Sequence, residues 1–472
     1  MFLFLFFAFT TFIFRNAFTT YFFNDDFFFL KITRINSFSQ FLNFFSPIRQ
    51  YSYKPVSQEI FYFLVHFMKE NIFLAHLLVF FIYFIGLYYL FKIIFLLTKN
   101  RLLSMLTALF YGINFTHIFQ LYYLATFQDM AIFTFLCLSF YNLLKDKRIS
   151  SIIFFILALL SKETAILFVP FLILLKLFFN KKISWKRLLP YIVLGITFAL
   201  IYQYSLRYVT ALDNYKINFN PRLIINNLMW YFLWSLGLPN FMPDYIISIF
   251  KPPISEFGKL IINFPNVKIF LYSLLIYFGI LLVSIFVYLI ENKKRIMEFF
   301  LITFFLLSGF FIFIGPIAFF QHKWMVRLAL PLIFISFIQS FGISLLIENG
   351  GLKKIVGSFL IGLYIFINIL GVSIHESSST FQLESNITKK AFKYFSNNKV
   401  EILKHQYIYF KDSDKRDFNP WGESKKLKVT LADQNFIDHY FPGSKLKAIY
   451  GFENKIIPKD AYIINSFDIL LL

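Results

Sequence analysis

Apolar runs of roughly 18 residues or more recur along the chain as far as Ser373, each interrupted by a short polar or basic segment. Taken at spanning length they predict eleven transmembrane helices. The first covers Met1 to Phe14, extended past Arg15 by Ala17 to Phe23. It has neither a basic leader nor a small-residue cleavage site, so an anchor is expected rather than a signal peptide. The others are Ile72 to Leu97, Leu102 to Phe119, Tyr122 to Leu144, Ser151 to Leu160, Ala165 to Phe179, Leu188 to Leu206, Ile269 to Ile290, Phe299 to Phe320, Leu328 to Ile347 and Ile355 to Ser373. Ser151 to Leu160 and Ala165 to Phe179 are short. Joined, they would run over about 40 Å at about 1.5 Å per residue, with Lys162 and Glu163 in mid-bilayer, so a re-entry at Ser161 is expected.

Two long mixed stretches break the pattern. Residues 24–71 carry amphipathic pieces such as Phe27 to Phe45, suited to the membrane interface. Residues 207–267 hold Pro221, Pro239, Pro243, Pro252, Pro253 and Pro265, which argue against continuous spanning helices. Beyond His375 the apolar runs shrink to strand length, at Tyr407 to Phe410, Lys445 to Tyr450 and Ala461 to Ile464, with helical stretches near Thr388 to Phe395 and Leu431 to Tyr440. The expected fold is therefore an all-α polytopic membrane domain, residues 1–373, followed by a small soluble α/β domain, residues 374–472.

Charge assigns the two faces. The formal net charge is +21, but its Lys and Arg cluster in the loops at 98–101, 145–148, 180–187, 291–295 and 349–354. Those loops share one side if there are eleven spans, and the positive-inside rule makes that side cytoplasmic. Such clusters are topology signals, so a nucleic-acid partner is not implied. Asp25, Asp26, the Ser161–Glu163 turn, His322, Lys323 and the C-terminal domain then fall outside the cytoplasm. With 72 Phe residues, aromatic enrichment reads more simply as a genomic base-composition bias than as function, and the one cysteine, Cys137, allows no intrachain disulfide.

The candidate chemistry lies on that outer face. Adjacent carboxylates in a partly desolvated place cannot both ionise freely, so Asp25 and Asp26 suit a general base with its partner; two solvated loop aspartates are the plainer alternative. Asp129 sits near the start of an apolar span, where a carboxylate is costly and by default functional. Lys162, with Glu163 beside it and free N–H groups at the head of the next helix, could hold a phosphate; a snorkelling lysine paired locally is the alternative. His117 is either an interfacial histidine or a supporting partner. His322, Lys323 and Arg327 place three potential cations in one short outer loop, a second phosphate ligand set. There is no metal-ligand spacing of His, Cys and carboxylates, no phosphate-binding glycine loop and no G-x-S-x-G, so cytosolic nucleotide chemistry is not expected.

Asp25-Asp26 after the first span, Tyr53-Lys54-Pro55-Val56-Ser57, Asn114-Phe115-Thr116-His117, Asp129 and Leu159-Leu160-Ser161-Lys162-Glu163-Thr164-Ala165 together resemble the GT-C superfamily of glycosyltransferases. Within it they are most similar to the protein O-mannosyltransferase and TMTC-like group, of glycosyltransferase family 39 type. The likeness covers roughly the first 180 residues in register and, more loosely, Lys323 to Pro331. The resemblance implies a polyprenyl-phosphate-linked sugar as donor, presented in the outer leaflet, and inversion at the anomeric carbon. It implies Asp25 as the base with Asp26 as its partner, Lys162, Arg327 and Lys323 on the donor phosphate, and Asp129, Glu163 and His117 on sugar or acceptor. The chain departs from the group in carrying Lys54 where arginine is common and in having no repeat domain for protein acceptors, which leaves the acceptor open among glycan, lipid and protein. No cofactor beyond the lipid-linked donor is implied, and a divalent metal requirement stays open. The expected protein is an integral membrane glycosyltransferase of a prokaryotic plasma membrane; the alternative is a transporter or flippase of lipid-linked glycans.

Overall fold

The computed structural model of the chain describes residues 2–178, 184–209, 217–248, 250–378, 380–413, 422–454 and 456–471. Helix α1 (Phe2–Ile13) leads into a loop region built from α2 (Asp25–Ile32), α3 (Phe38–Leu42) and α4 (Phe61–Phe67). The bundle continues through α5 (Ile72–Thr98), α6 (Arg101–Gly112), α7 (Ile118–Tyr122), α8 (Phe127–Leu144), α9 (Arg148–Leu159), α10 (Phe168–Phe178) and α11 (Trp185–Leu206). Asn71 and Asn100 start α5 and α6 by accepting from the N–H groups of Leu74 and Leu103, which meets donors that the helix itself leaves open. The proline-rich stretch breaks into α12 (Pro221–Ser235), α13 (Met242–Tyr245) and α14 (Glu256–Asn263). Four longer helices follow: α15 (Pro265–Glu291), α16 (Ile296–Ile314), α17 (Leu332–Glu348) and α18 (Gly351–Ser378).

Each predicted apolar stretch contains helix, and six helices among the described residues are long and apolar enough to cross a bilayer unaided. A seventh span results if α6 and the segment Phe115–Tyr122, bent by 44°, count together. The protein is thus a helical membrane protein. The other four predicted spans fall short for a geometric reason: α1 and α9 have 12 residues, α10 has 11 and α17 has 17, or about 16–26 Å at about 1.5 Å per residue against a hydrocarbon core of about 30 Å. Position in the bundle follows burial. The apolar segment Leu124–Leu144 is 83% buried, whereas those of α11 and α15 are 28% buried and turn Leu200, Leu282 and Phe286 outward, so α8 is the central helix.

The basic loops are tied to one another across the bundle. Asn100 donates to Glu348 at 2.5 Å, Arg187 pairs with Asp146 at 2.6 Å, and Lys353 pairs with Glu291. Lys181 and Lys182, part of the same predicted basic set, lie outside the described residues.

The C-terminal part contains α19 (Thr380–Asn397), α20 (Lys399–Ile402), β1 (Tyr407–Lys411), α21 (Glu423–Thr430), α22 (Gln434–Tyr440), β2 (Lys447–Tyr450), β3 (Ala461–Asn465) and α23 (Ser466–Leu471). Its strands form one parallel sheet in the order β2-β1-β3, with Tyr407 opposite both Lys447 and Ala461. Ile408 and Phe410 bury one side of the central strand, and Phe395 and Phe436 pack edge to face at 5.3 Å between the helices. The polar composition begins before the long helix ends: α18 runs past residue 373 to Ser378, with His375 buried and accepting the Asn240 N–H.

Candidate functional site

The head of α8 gathers the carboxylates. The Asp25 N–H donates to the Tyr123 hydroxyl at 3.1 Å, and the Tyr123 ring stacks on Phe23 with centroids 4.7 Å apart. Two residues on, the Ala125 N–H reaches the Asp26 carboxylate. One helical turn further stands Asp129, about 6 Å along the axis at about 1.5 Å per residue. Both predicted acids of the first loop and the predicted acid of the span therefore meet at one helix end.

Asp26 and Asp25 differ in kind. Asp26 is fully buried and accepts from the Phe23 N–H at 3.0 Å and from the Tyr62 hydroxyl. Burial pushes its pKa up to about 7, against the pull of those hydrogen bonds, and the neighbouring Asp25 charge adds to the rise. Asp25 is exposed to solvent yet stands in a recess, and loss of hydration there raises its pKa while the Tyr123 hydroxyl works the other way. An accessible carboxylate next to a buried one with a raised pKa suits a general base.

A four-membered charge cluster lies alongside. Lys162 Nζ is 2.6 Å from Asp129 Oδ1, and both side chains are buried; Lys54 Nζ is 3.3 Å from Glu163 Oε2. The first loop and the α9–α10 turn are joined through the backbone. The Val56 N–H donates to the Leu160 carbonyl at 3.0 Å, and the Ser57 hydroxyl donates to the Ser161 carbonyl at 2.5 Å. The turn itself arises because Lys162 is extended, with φ −162° and ψ 138°, so α9 stops and a short 3-10 turn opens at Glu163. Burial would raise the Glu163 pKa, but the charges of Lys54 and Lys162 bring it below the usual range. Asp129 Oδ2 is buried with no hydrogen-bond partner among the described residues, an acceptor left open beside a cation.

Asp129, Lys162, Thr164 and Arg327 line a cavity of about 10 Å³, close to the space one water fills. Phe313 and Leu330 form part of its wall and also part of the wall of an apolar cavity of about 430 Å³. The larger cavity runs between α5, α6 and α8 on one side and α10, α16 and α17 on the other, with Cys137 on its surface. Arg327 is aimed by its own loop: it donates to the His322 carbonyl at 2.9 Å and lies 3.4 Å from the Tyr231 hydroxyl.

Of the sequence candidates, Asp129, Lys162 and Arg327 line the small cavity with Glu163 next to Lys162, while Asp25 and Asp26 sit against Tyr123 just ahead of α8 and do not line it. Lys323 lies off the small cavity; burial lowers its pKa and nearby Asp244 partly offsets that. His117 stands a layer behind, fully buried, its Nε2 donating to the Tyr111 carbonyl at 2.9 Å and its ring packed against Tyr83 and Tyr111. It is a core histidine, and the expected contact with sugar or acceptor is corrected because no face of the ring reaches the cavity. Tyr62 and Tyr123 were not anticipated. Among 28 Tyr and 72 Phe nothing local marks them, although both sit in stretches that carry other site residues. No cluster of three or more His, Cys, Asp or Glu side chains suited to a metal occurs among the described residues. Comparison of the chain with protein families, characterised proteins and solved structures finds no match.

Proposed function

We propose that the chain is an integral membrane glycosyltransferase that moves a sugar from a polyprenyl-phosphate carrier to an acceptor hydroxyl, with inversion at the anomeric carbon. The observation that carries this reading is the wall shared by the charged site and the 430 Å³ apolar cavity through Phe313 and Leu330. A ligand with an anionic head and a hydrocarbon tail matches the chemistry of the two compartments, and the small one, with room for about one water, has to widen to admit a phosphate. In this reading all eleven apolar segments lie in the membrane, the tied basic loops face the cytoplasm, and the site and C-terminal unit face outward from a prokaryotic plasma membrane.

The reaction is a single displacement. The acceptor oxygen attacks the anomeric carbon as the bond from that carbon to the phosphate oxygen breaks. Asp25 takes the hydroxyl proton, and the polyprenyl phosphate leaves with the electron pair. Lys162 and Arg327 stabilise the charge growing on the phosphate in a site shielded from water, where such contacts act most strongly. Asp129 Oδ2 and Glu163 are placed to accept from sugar hydroxyls, and Asp26 keeps Asp25 oriented and basic. The acceptor is a glycan, lipid or protein of the extracytoplasmic space.

A second reading, translocation of a lipid-linked glycan, is favoured by one feature: the apolar cavity also reaches Thr98, Asn100 and Glu298 near the basic loops. Purified protein in liposomes, given a panel of radiolabelled polyprenyl-phosphate sugars, separates the two. Transfer by the wild type and its loss by about 100-fold or more in Asp25→Asn support the transferase. Turnover that survives Asp25→Asn sinks the base. Absence of transfer with every donor, together with donor-dependent shielding of Cys137 from N-ethylmaleimide, points to translocation.

A further inference from the structure

The helix that carries the acid pair is held from outside the first loop. Asn24, directly ahead of Asp25, has φ 54° and ψ −128°, a backbone conformation that residues with a side chain rarely adopt. Its N–H donates to the Thr430 carbonyl at 2.7 Å, at the end of α21 in the C-terminal unit. Such a conformation persists where surrounding bonds over-determine it, and this one is pinned by a residue some 400 positions away in sequence.

The next helix of the C-terminal unit extends the grip. On α22, Asp438 pairs with Lys31 of α2 at 2.5 Å, and Phe436 meets Phe27 edge to face at 5.1 Å. Behind them a relay crosses three elements. Glu70 lies 3.1 Å from His439 Nε2 on α22 and 3.0 Å from His66 Nδ1 on α4, and His66 Nε2 reaches the Leu30 carbonyl of α2 at 2.8 Å. Both nitrogens of His66 thus have a partner, one on Glu70 and one on α2. Arg34 adds a cation 3.6 Å from Glu70 and donates to the His439 carbonyl. Burial would raise the Glu70 pKa, but the bonds and charge of His439 and His66 hold it well below the usual carboxylate range.

We propose that the C-terminal unit is a positioning element for the acid pair: through Thr430, Asp438 and His439 it fixes Asn24 and α2, and so sets Asp25 and Asp26 against Tyr123 and Tyr62. None of these three residues touches the charged cavity. This inference rests on the transferase reading for the role of Asp25, but the docking itself can be read without any sugar donor.

The chain has one cysteine, buried Cys137, so maleimide uptake by an Asn435→Cys variant in excess of the parent's reports the added thiol on α22, facing Lys31. Maleimide labelling of the reporter and steady-state transfer are measured in Lys31→Glu, Asp438→Lys, the swap Lys31→Glu with Asp438→Lys, His439→Ala and His439→Gln. The single charge reversals and His439→Ala are expected to label about fivefold faster and to lose about tenfold in kcat, with donor KM changed less than twofold. The swap restores both readouts, and His439→Gln, which keeps a donor toward Glu70, stays near wild type. Faster labelling with unchanged kcat overturns the positioning role, and so does unchanged labelling in every variant. A swap that recovers labelling but not kcat also counts against it. Transfer that survives Asp25→Asn defeats the base assignment instead, and the labelling series still reports whether the unit is docked.

Discussion

Replacing Lys162 by glutamine leaves Asp129 as a buried carboxylate without its cation. The pair is 2.6 Å apart, both side chains are under 10% exposed, and Asp129 Oδ2 already lacks a partner, so little can reorganise to take the place of the ammonium. Breaking a buried ion pair from one side costs about 3–5 kcal/mol, because the remaining charge stays desolvated. Asp129→Asn strands the lysine and is expected to cost a similar amount. The double variant Asp129→Asn with Lys162→Gln contains no charge to strand. Its stability should return to within about 1–2 kcal/mol of wild type, a coupling energy at the upper end of what contacting residues show. Activity should behave differently. If Lys162 meets the donor phosphate, the double variant stays about 100-fold or more below wild type, as when one preorganised charge-stabilising donor is removed. Thermal unfolding in detergent and transfer rates on the same preparations supply the cycle. Recovery of both stability and transfer in the double variant would refute the phosphate role and make the pair scaffolding. Undiminished stability in Lys162→Gln would refute the energetic argument.

Asp26 is expected to make stability pH-dependent. Its folded pKa is raised to about 7 from 3.8, so in that window the folded protein holds a proton that the unfolded chain has released, and stability falls as pH rises. The contribution is whole below the unfolded value and shrinks by at most roughly 4 kcal/mol on reaching neutrality. Unfolding temperatures of wild type relative to Asp26→Asn should therefore decline from about pH 4 to about pH 8, and a constant difference would refute it. Gly309 backs onto the apolar cavity: a Cβ there would meet Phe334 Cε1 at 2.4 Å, and Phe334 lines the cavity. Gly309→Ala should push that ring inward, cost about 1–3 kcal/mol of stability and raise donor KM severalfold with kcat nearly unchanged. An unaltered KM would show that the donor does not enter that space.

The helices and strands were legible where periodicity is strong. The β1 and β3 runs fall within one residue of the segments read from their composition, because a small buried sheet needs short apolar stretches between turns. The Ser161–Glu163 break was legible too, since a Lys-Glu pair has no place inside a continuous apolar helix. What the sequence withheld is pairing at long range. Tyr53–Ser57 and Leu160–Ser161 each drew notice, but nothing in either says that they share backbone hydrogen bonds. Tyr62 and Tyr123 were invisible in a chain so rich in rings. His117 misled because a histidine near the end of an apolar span reads as interfacial or as support for a site, whereas its neighbour Asn114 donates to Tyr364 inside the bundle. The limit at residue 373 followed composition, while the helix continues because His375 and Glu376 are held by Asn240 and Tyr122.

Helix α18 is an unbroken rod of 28 residues that starts among the tied basic loops and ends one residue before α19. At about 1.5 Å per residue it is about 42 Å long, so a tilt of about 5° about its basic end swings its far end by about 4 Å. That displacement exceeds the 2.7 Å span of the Thr430–Asn24 hydrogen bond. Spanning helices adjust to hydrocarbon thickness chiefly by tilting. The far end of the rod is tied to the bundle through His375 and Glu376, so a bilayer thickness that tilts α18 loads those bonds first, and transfer rates in lipids of graded chain length test whether the load reaches Asp25.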